Sequence, residues 1–224
     1  MAPLISVVMP AHNAERLLRR SLGSLLAQSW RPLEILVMSD ASTDRTEEIG
    51  AAFGPPVRVI PCDFRHPIPT RNLGITQAQG EFIAFLDHDD FSPPDRFALQ
   101  MAAFQEDPEL DVCVGMVQRV RWAGGEAPFV PKADPVPGYL TITMLARRQT
   151  FDRVGLLNPS QLHADSAEWF LRARALDMKV RLLPQVLTLH VDHEENRSVT
   201  HGERSRKEFL RLIKAKLDRE RQGE

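Results

Sequence analysis

Disulfide chemistry is nearly absent from this chain. Cys62 and Cys113 are the only cysteines among 224 residues. Two are too few for a disulfide framework and fit a reducing cytoplasm. Long apolar runs are missing as well. None approaches the ~20 residues that cross a bilayer, so no transmembrane segment is expected. Met1 leads almost at once into a strand pattern, without the basic stretch and apolar core of a secretory leader. Charge of one sign is not in excess. The formal net charge is −2, which gives no electrostatic case for nucleic acid as a partner. The glycine fingerprint of a dinucleotide site, G-x-G-x-x-G, does not follow the first apolar run. The residues there are Pro10-Ala11-His12-Asn13-Ala14-Glu15, and no Walker A sequence occurs anywhere. Any phosphate charge must then be met by a cation held on carboxylates, with Arg71 as a further counter-charge. No internal repeat or low-complexity segment is present.

What the chain does have is an alternation of strand and helix signals. Leu4–Met9, Leu33–Met38, Val57–Ile60 and Glu81–Leu86 are short apolar runs of strand type. Between them lie helical patterns: the leucines from Leu17 to Leu26, the segment capped by Ser42-Thr43-Asp44, and the stretch Thr70–Ala78. Ser92-Pro93-Pro94-Asp95 opens another helix. This order predicts an α/β fold with a mostly parallel sheet and right-handed crossovers. The second half is less regular. Val112–Val120 has strand composition, and Trp122–Glu126 reads as a hairpin turn. Thr141–Ala146 is expected as a strand leading to a short helix at Gln149–Val154. Asp165–Leu176 is expected as a helix, and Val180–Leu183 and Val186–Leu189 as two short strands. The tail from Glu203 reads as a charged helix.

Ligands of open parallel sheets bind beyond the carboxyl ends of the strands. Three polar clusters fall at such ends: Pro10-Ala11-His12-Asn13, Ser39-Asp40-Ala41-Ser42 and Asp87-His88-Asp89-Asp90. Carboxylates crowded after a buried strand repel one another unless a cation joins them. Mg²⁺ is typically held by one or two carboxylates together with substrate phosphates. The competing reading is a solvated Asp-rich turn. Asp40 suits acceptance from a nucleobase imide, and His12 suits stacking on the base. Against this, Asp40 would only shape a turn, and His12 would be a solvated loop histidine.

These residues resemble the family 2 glycosyltransferases. Ile5-Ser6-Val7-Val8-Met9-Pro10-Ala11-His12-Asn13 is similar to the family's opening V-S-V-V-x-P-x-Y-N. Ser39-Asp40-Ala41-Ser42-Thr43-Asp44-Arg45-Thr46 resembles D-D-G-S-T-D-x-T. Arg71-Asn72-Leu73-Gly74 and Ala78–Asp90 resemble R-N-x-G and A-x-G-E-Y-I-x-F-L-D-x-D-D. The resemblance implies a GT-A fold: a Rossmann-like, mostly parallel sheet flanked by helices, with a smaller mixed C-terminal part. It implies a single domain over 1–224, divided into a nucleotide-binding half (1–110), an acceptor-binding and catalytic half (111–200) and a C-terminal helix (201–224). It also implies inverting, hexosyltransferase-like transfer from a UDP-sugar, with Mn²⁺ or Mg²⁺ bound through D-x-D.

Carried over by position, Asp40 reads the uracil imide, and Pro10, Ala11 and His12 form the loop around the base. His12 stands where tyrosine is usual, and Ser39 where an aspartate is usual. Arg71 lies near base and diphosphate. Asp87 and Asp89 match D-x-D, Asp89 being the direct metal ligand, and His88 between them joins the donor-binding residues. Asp165–Ala173 resembles the E-D-x-D/E-W-x-x-R helix that supplies the general base, but its usual base position falls on Ser166. Asp165 is the first candidate base and Glu168 the second; helix capping is the plain alternative for Asp165. His193-Glu194-Glu195-Asn196-Arg197-Ser198 resembles H-x-x-N-x-S, which makes His193 a third metal-ligand candidate.

The acceptor is open among saccharide, lipid-linked, small-molecule and peptide hydroxyls. In the tail, Phe209, Ile213 and Leu217 share a face, consistent with a docked helix, and less so with a homodimer contact or weak binding to anionic lipid. Two other readings stand beside the transferase. A non-catalytic nucleotide-sugar-binding module is motivated by Ser39 and Ser166. A nucleotidyltransferase would share sheet, metal and nucleotide but lacks its usual glycine-rich basic loop here.

Overall fold

The computed structural model describes residues 2–124, 127–162 and 164–192. The expected helix at 201–224 and His193 lie outside the described residues. Four parallel strands come first: β1 (Ile5–Ala11), β2 (Leu33–Asp40), β3 (Val57–Cys62) and β4 (Phe82–Phe85). Between and after them run α1 (Leu18–Leu26), α2 (Thr46–Ala51), α3 (Pro67–Gln77) and α4 (Arg96–Glu106). The mixed part follows, with β5 (Val112–Arg121), β6 (Val130–Pro131), β7 (Val136–Pro137), a 3-10 turn at Thr141–Thr143, β8 (Leu145–Arg147), α5 (Arg148–Val154), α6 (Asp165–Ala175) and β9 (Val180–Val191). One sheet joins the strands in the order β3-β2-β1-β4-β8-β5-β6, with β7 and β9 also paired to β5. The α/β class with a mostly parallel GT-A-like sheet therefore holds. Among the described residues, no helix is long and apolar enough to cross a membrane.

The strands β1 and β2 are buried along their whole length, as expected where helices cover both faces of a sheet. Alternate residues enter different cores. Val7, Met9, Ile35 and Val37 pack with Leu18, Leu22 and Leu25 of α1 and Phe97 and Met101 of α4. Val8, Leu36 and Met38 pack with Ile68 and Ile75 of α3, Phe151 of α5 and Trp169 of α6. Each fully buried leucine or valine contributes roughly 1.5–3 kcal/mol of transfer free energy. Gly74 is required by close approach, since a Cβ there would lie 2.3 Å from Cγ1 of Val8. That contact explains the glycine in the Arg71-Asn72-Leu73-Gly74 block. Arg96, fully buried, donates to the carbonyls of Phe85 and Met144, both at 3.2 Å. It ties the end of β4 to the residue before β8.

Several elements differ from expectation. The first strand runs past Met9 to Ala11, with Pro10 in register opposite Met38. The helix α3 begins at Pro67, because His66 caps it by accepting from the Ile68 N–H. Thr141–Thr143 forms a 3-10 turn and only Leu145–Arg147 is strand. The two short strands near the end are one, β9, parallel to β5. Register irregularities against Val114, Met116 and Val117 absorb Pro184 without ending the strand.

Candidate active site

A cavity of about 1030 Å³ opens beyond the carboxyl ends of β1, β2 and β4, where a parallel sheet leaves its loops. Residues from both halves of the chain line it: Pro10, Ala11, His12 and Asp40; His66, Arg71, Asp87, His88 and Asp89; and Thr141, Asp165, Ser166 and His190.

The carboxylate cluster sits where β4 ends. Oxygens of Asp87, Asp89 and Asp90 lie within 4.8 Å of one another. The turn closes through Asp90 N–H donating to the Asp87 carbonyl at 3.1 Å. Ser21 of α1 braces it by donating to the Asp90 carbonyl at 2.8 Å. Three hard oxygen donors in this space suit Mg²⁺ or Mn²⁺. Asp90 is fully buried; Oδ1 accepts from Nδ1 of His190 at 2.8 Å. Burial drives the Asp90 carboxyl up, against the pull of His190, to about 6. Burial alone would lower the His190 pKa, but the bond to Asp90 and the fields of Asp90, Asp89 and Asp87 outweigh it and raise the group to about 9.

Arg71 connects this cluster to α6. It donates to Oδ1 of Asp87 at 2.6 Å, and its other terminal nitrogen stands 3.8 Å from Oδ2 of Asp165. Asp165 thus faces the cavity from the first turn of α6. Ser166, beside it, accepts from the Thr141 N–H at 3.2 Å and holds the 3-10 turn against the helix. Glu168, the second candidate base, is absent from the cavity wall. Its carboxylate is gripped by Arg172 through bonds of 2.8 and 2.9 Å. Arg172 also donates to the carbonyls of Val154 and Leu156, so this pair fastens α6 to the end of α5. His193 lies outside the described residues; the C-terminal histidine that lines the cavity is His190.

Asp40 is 5% exposed and spends both oxygens on its own chain. Oδ1 accepts from the N–H groups of Phe64 and Arg65 at 2.7 and 2.8 Å. Oδ2 accepts from the His66 N–H at 2.9 Å and the Thr70 hydroxyl at 2.8 Å. Burial works against ionisation of Asp40, but these four bonds prevail and lower its pKa. A carboxylate offers about four lone-pair sites. Three backbone N–H groups fill most of this capacity, and the single Thr70 hydroxyl proton is shared between Oδ2 of Asp40 and the His66 carbonyl, both at 2.8 Å. Nδ1 of His12 contacts the Asp40 carbonyl at 2.7 Å and Nδ1 of His88 the Pro10 carbonyl at 3.2 Å. Ser39 is buried and donates to Glu47 at 3.0 Å, away from the cavity. Arg65, His66 and His190 carried no site role in the motif reading. A histidine directly before proline at a helix start was the available signal for His66.

The sequence model described as "Glycosyl transferase family 2" matches residues 6–177. An "Uncharacterized glycosyltransferase" of Haemophilus influenzae is 37% identical over 103 residues, covering 44% of this chain and 41% of that protein. The Escherichia coli protein "Uncharacterized glycosyltransferase YibD" is 36% identical over 111 residues, covering 48% of this chain and 32% of its own length. The matches thus span less than half of these relatives. Among solved structures, the mannosyltransferase PcManGT from Pyrobaculum calidifontis, in complex with GDP-Man and Mn²⁺, superposes with a TM-score of 0.71 at 16% identity, over 96% of this chain and 65% of that one. The S. aureus TarS fragment 1–349 in complex with UDP-GlcNAc gives 0.66 at 22% identity, over 86% and 59%. At such identities the structural likeness concerns the fold.

Proposed function

This chain belongs to glycosyl transferase family 2, and on that premise we propose that it moves a sugar, with inversion, from a UDP-sugar to an acceptor hydroxyl in a metal-dependent reaction. The observation that carries this reading is the bridge from Asp87 through Arg71 to Asp165. It sets a carboxylate able to take a proton across the same cavity as a carboxylate cluster able to hold a cation.

Asp89 and Asp87 would hold Mn²⁺ or Mg²⁺, with Asp90 braced behind them by His190. When bound, the cation supplies charge stabilisation to the departing diphosphate. Asp165 takes the proton from the acceptor hydroxyl as it attacks the anomeric carbon from the face opposite the leaving nucleotide. Such general-base assistance is worth typically ~10²–10⁴-fold. Arg71 sets a positive charge 3.8 Å from the Asp165 carboxylate. Ser166 has a structural part, through the Thr141 N–H. The acceptor is a saccharide, lipid-linked, small-molecule or peptide hydroxyl. The unpaired cysteines Cys62 and Cys113 accord with the cytoplasmic location we assign.

The test is UDP release from a panel of UDP-sugars, with and without Mn²⁺. The transferase reading expects slow, Mn²⁺-dependent hydrolysis of at least one donor in the absence of acceptor. Tight UDP-sugar binding without turnover of any donor, even with acceptors supplied, would favour a non-catalytic binding module.

A further inference from the structure

The ladder of β5 with β6 and β7 has two unlike faces. Val130 of β6 stands opposite Arg121 of β5, and Val136 of β7 opposite Val117. Opposed residues point to one side of a sheet, and side chains alternate along each strand. Val117, Arg119 and Arg121 therefore share a face with Val130 and Val136. The other face, at Val120, is closed by Phe91, Trp122 and Phe129. The first face stays open at its end, where Val130 is 56% and Val136 52% exposed. Tyr139 and Leu140, directly after β7, are exposed as well, and Leu140 also lines the cavity. A single exposed valine is ordinary. Four large apolar side chains between 130 and 140, leading to a cavity mouth, mark a contact surface.

Charge identifies what covers it. Arg119, Arg121 and Lys132 are exposed at this face. Two carboxylates accompany them. Asp134 is exposed in the turn between β6 and β7. Asp192, its side chain 8% exposed, accepts from Arg119 at 2.7 Å and from Lys132. Asp192 is the last described residue, so residues 193–224 continue from this face. Within them, 204–221 carry eight Lys or Arg against three Asp or Glu. Phe209, Ile213 and Leu217 recur there at helical spacing. The residues from 193 to 203 can span roughly 35 Å, enough to bring this stretch beside the open face. A basic segment with an apolar stripe suits the boundary of an anionic bilayer. It suits the open face itself less well, since cations would then meet cations. We propose that the open face and the 204–221 segment together dock this chain on an anionic lipid surface, with the cavity mouth beside it. The contact is peripheral: Val130, Val136 and the tail's apolar stripe enter the headgroup boundary, and the cations meet lipid phosphates. This goes beyond the transferase reading and requires neither donor nor metal.

The experiment is sedimentation of the full chain with vesicles of phosphatidylcholine alone, or with about 30% phosphatidylglycerol added. The anionic vesicles should bind about tenfold or more tighter than the neutral ones, and that binding should fall between roughly 0.1 and 0.5 M salt. Val130→Asp combined with Val136→Asp should weaken it about tenfold or more, as should Phe209→Asp combined with Ile213→Asp. Arg121→Glu, at an exposed side chain, tests the same face without touching the apolar residues, and should weaken binding about fivefold or more. Equal sedimentation with neutral and anionic vesicles, or with neither, would overturn the proposal. Loss in the tail variant alone, with both sheet variants unchanged, would also overturn it, because the open face would then have no part. Two other occupants have their own signatures. A second copy would appear as a dimer in size-exclusion chromatography that Val136→Asp dissolves. The chain's own tail would appear as faster amide exchange over 130–140 in the Phe209→Asp, Ile213→Asp variant. Either result without vesicle binding would refute lipid docking. UDP binding measured in parallel should not change in any variant, so failure here leaves the transferase reading intact.

Discussion

Arg71 donates to Oδ1 of Asp87 across 2.6 Å, with the arginine side chain only 5% exposed. A guanidinium placed against a metal-ligand candidate does two things. It offsets repulsion within the Asp87, Asp89 and Asp90 cluster, and it fixes the orientation of Asp87. Arg71→Met removes a buried charge and leaves its carboxylate partners uncompensated, a change that costs about 3 kcal/mol or more. Mn²⁺ would replace part of the missing positive charge. Urea denaturation should therefore show a large stability loss in EDTA and a smaller one in Mn²⁺. Equal losses in both would detach Arg71 from the cation site.

Asp165 and Glu168 are one helical turn apart, yet their surroundings differ. Asp165 lines the cavity, while Glu168 is held by Arg172. Asp165→Asn should lower transfer by roughly 10²-fold or more while leaving UDP binding within about twofold. Glu168→Gln should keep most of the activity and lower stability modestly, by loosening α6 from α5. Rates for both variants, measured with a working acceptor, decide the matter. Full activity in Asp165→Asn would remove it as the base.

The Asp90–His190 pair makes stability depend on pH. His190 is raised from 6.5 to about 9 on folding. The folded state therefore holds this proton more tightly, so its contribution is fully present below pH 6.5 and is lost as pH rises through about 9. Asp90, raised to about 6, has the same sign over a lower window: stability declines as it ionises between its ordinary value and about 6. In the metal-free chain, urea midpoints should fall between pH 6.5 and 9.5, and His190→Gln should flatten that fall. A slope unchanged by the substitution would show that the pair does not titrate as described.

Much of this architecture was legible in the sequence because burial on both faces writes continuous apolar runs. Leu33–Met38 and Glu81–Leu86 could hardly be anything else, and the polar residues after them had to gather at one sheet edge. The mixed half was less legible. Pro184 broke the pattern of β9, whereas in space an irregular register simply accommodates it. Partners far apart in the chain were invisible. Nothing in Ser39-Asp40-Ala41-Ser42 reveals that the N–H groups of Phe64, Arg65 and His66 occupy the Asp40 carboxylate. Nor does Glu168 beside Trp169 reveal the grip of Arg172, although a Glu-to-Arg spacing of four on a helix is its usual mark. Ser166 read as a lost function; its hydroxyl accepts a backbone N–H instead.

In the proposed reaction the carboxylate cluster binds a nucleotide-sugar donor through a divalent cation. Its most direct test is calorimetry of UDP binding to the unaltered chain and to Asp89→Asn, each with Mn²⁺ and with EDTA. Binding to the unaltered chain should depend on Mn²⁺, and affinity should be lowered about tenfold or more in Asp89→Asn with an unchanged urea midpoint. Equal UDP affinity in the two proteins with Mn²⁺ present would contradict it.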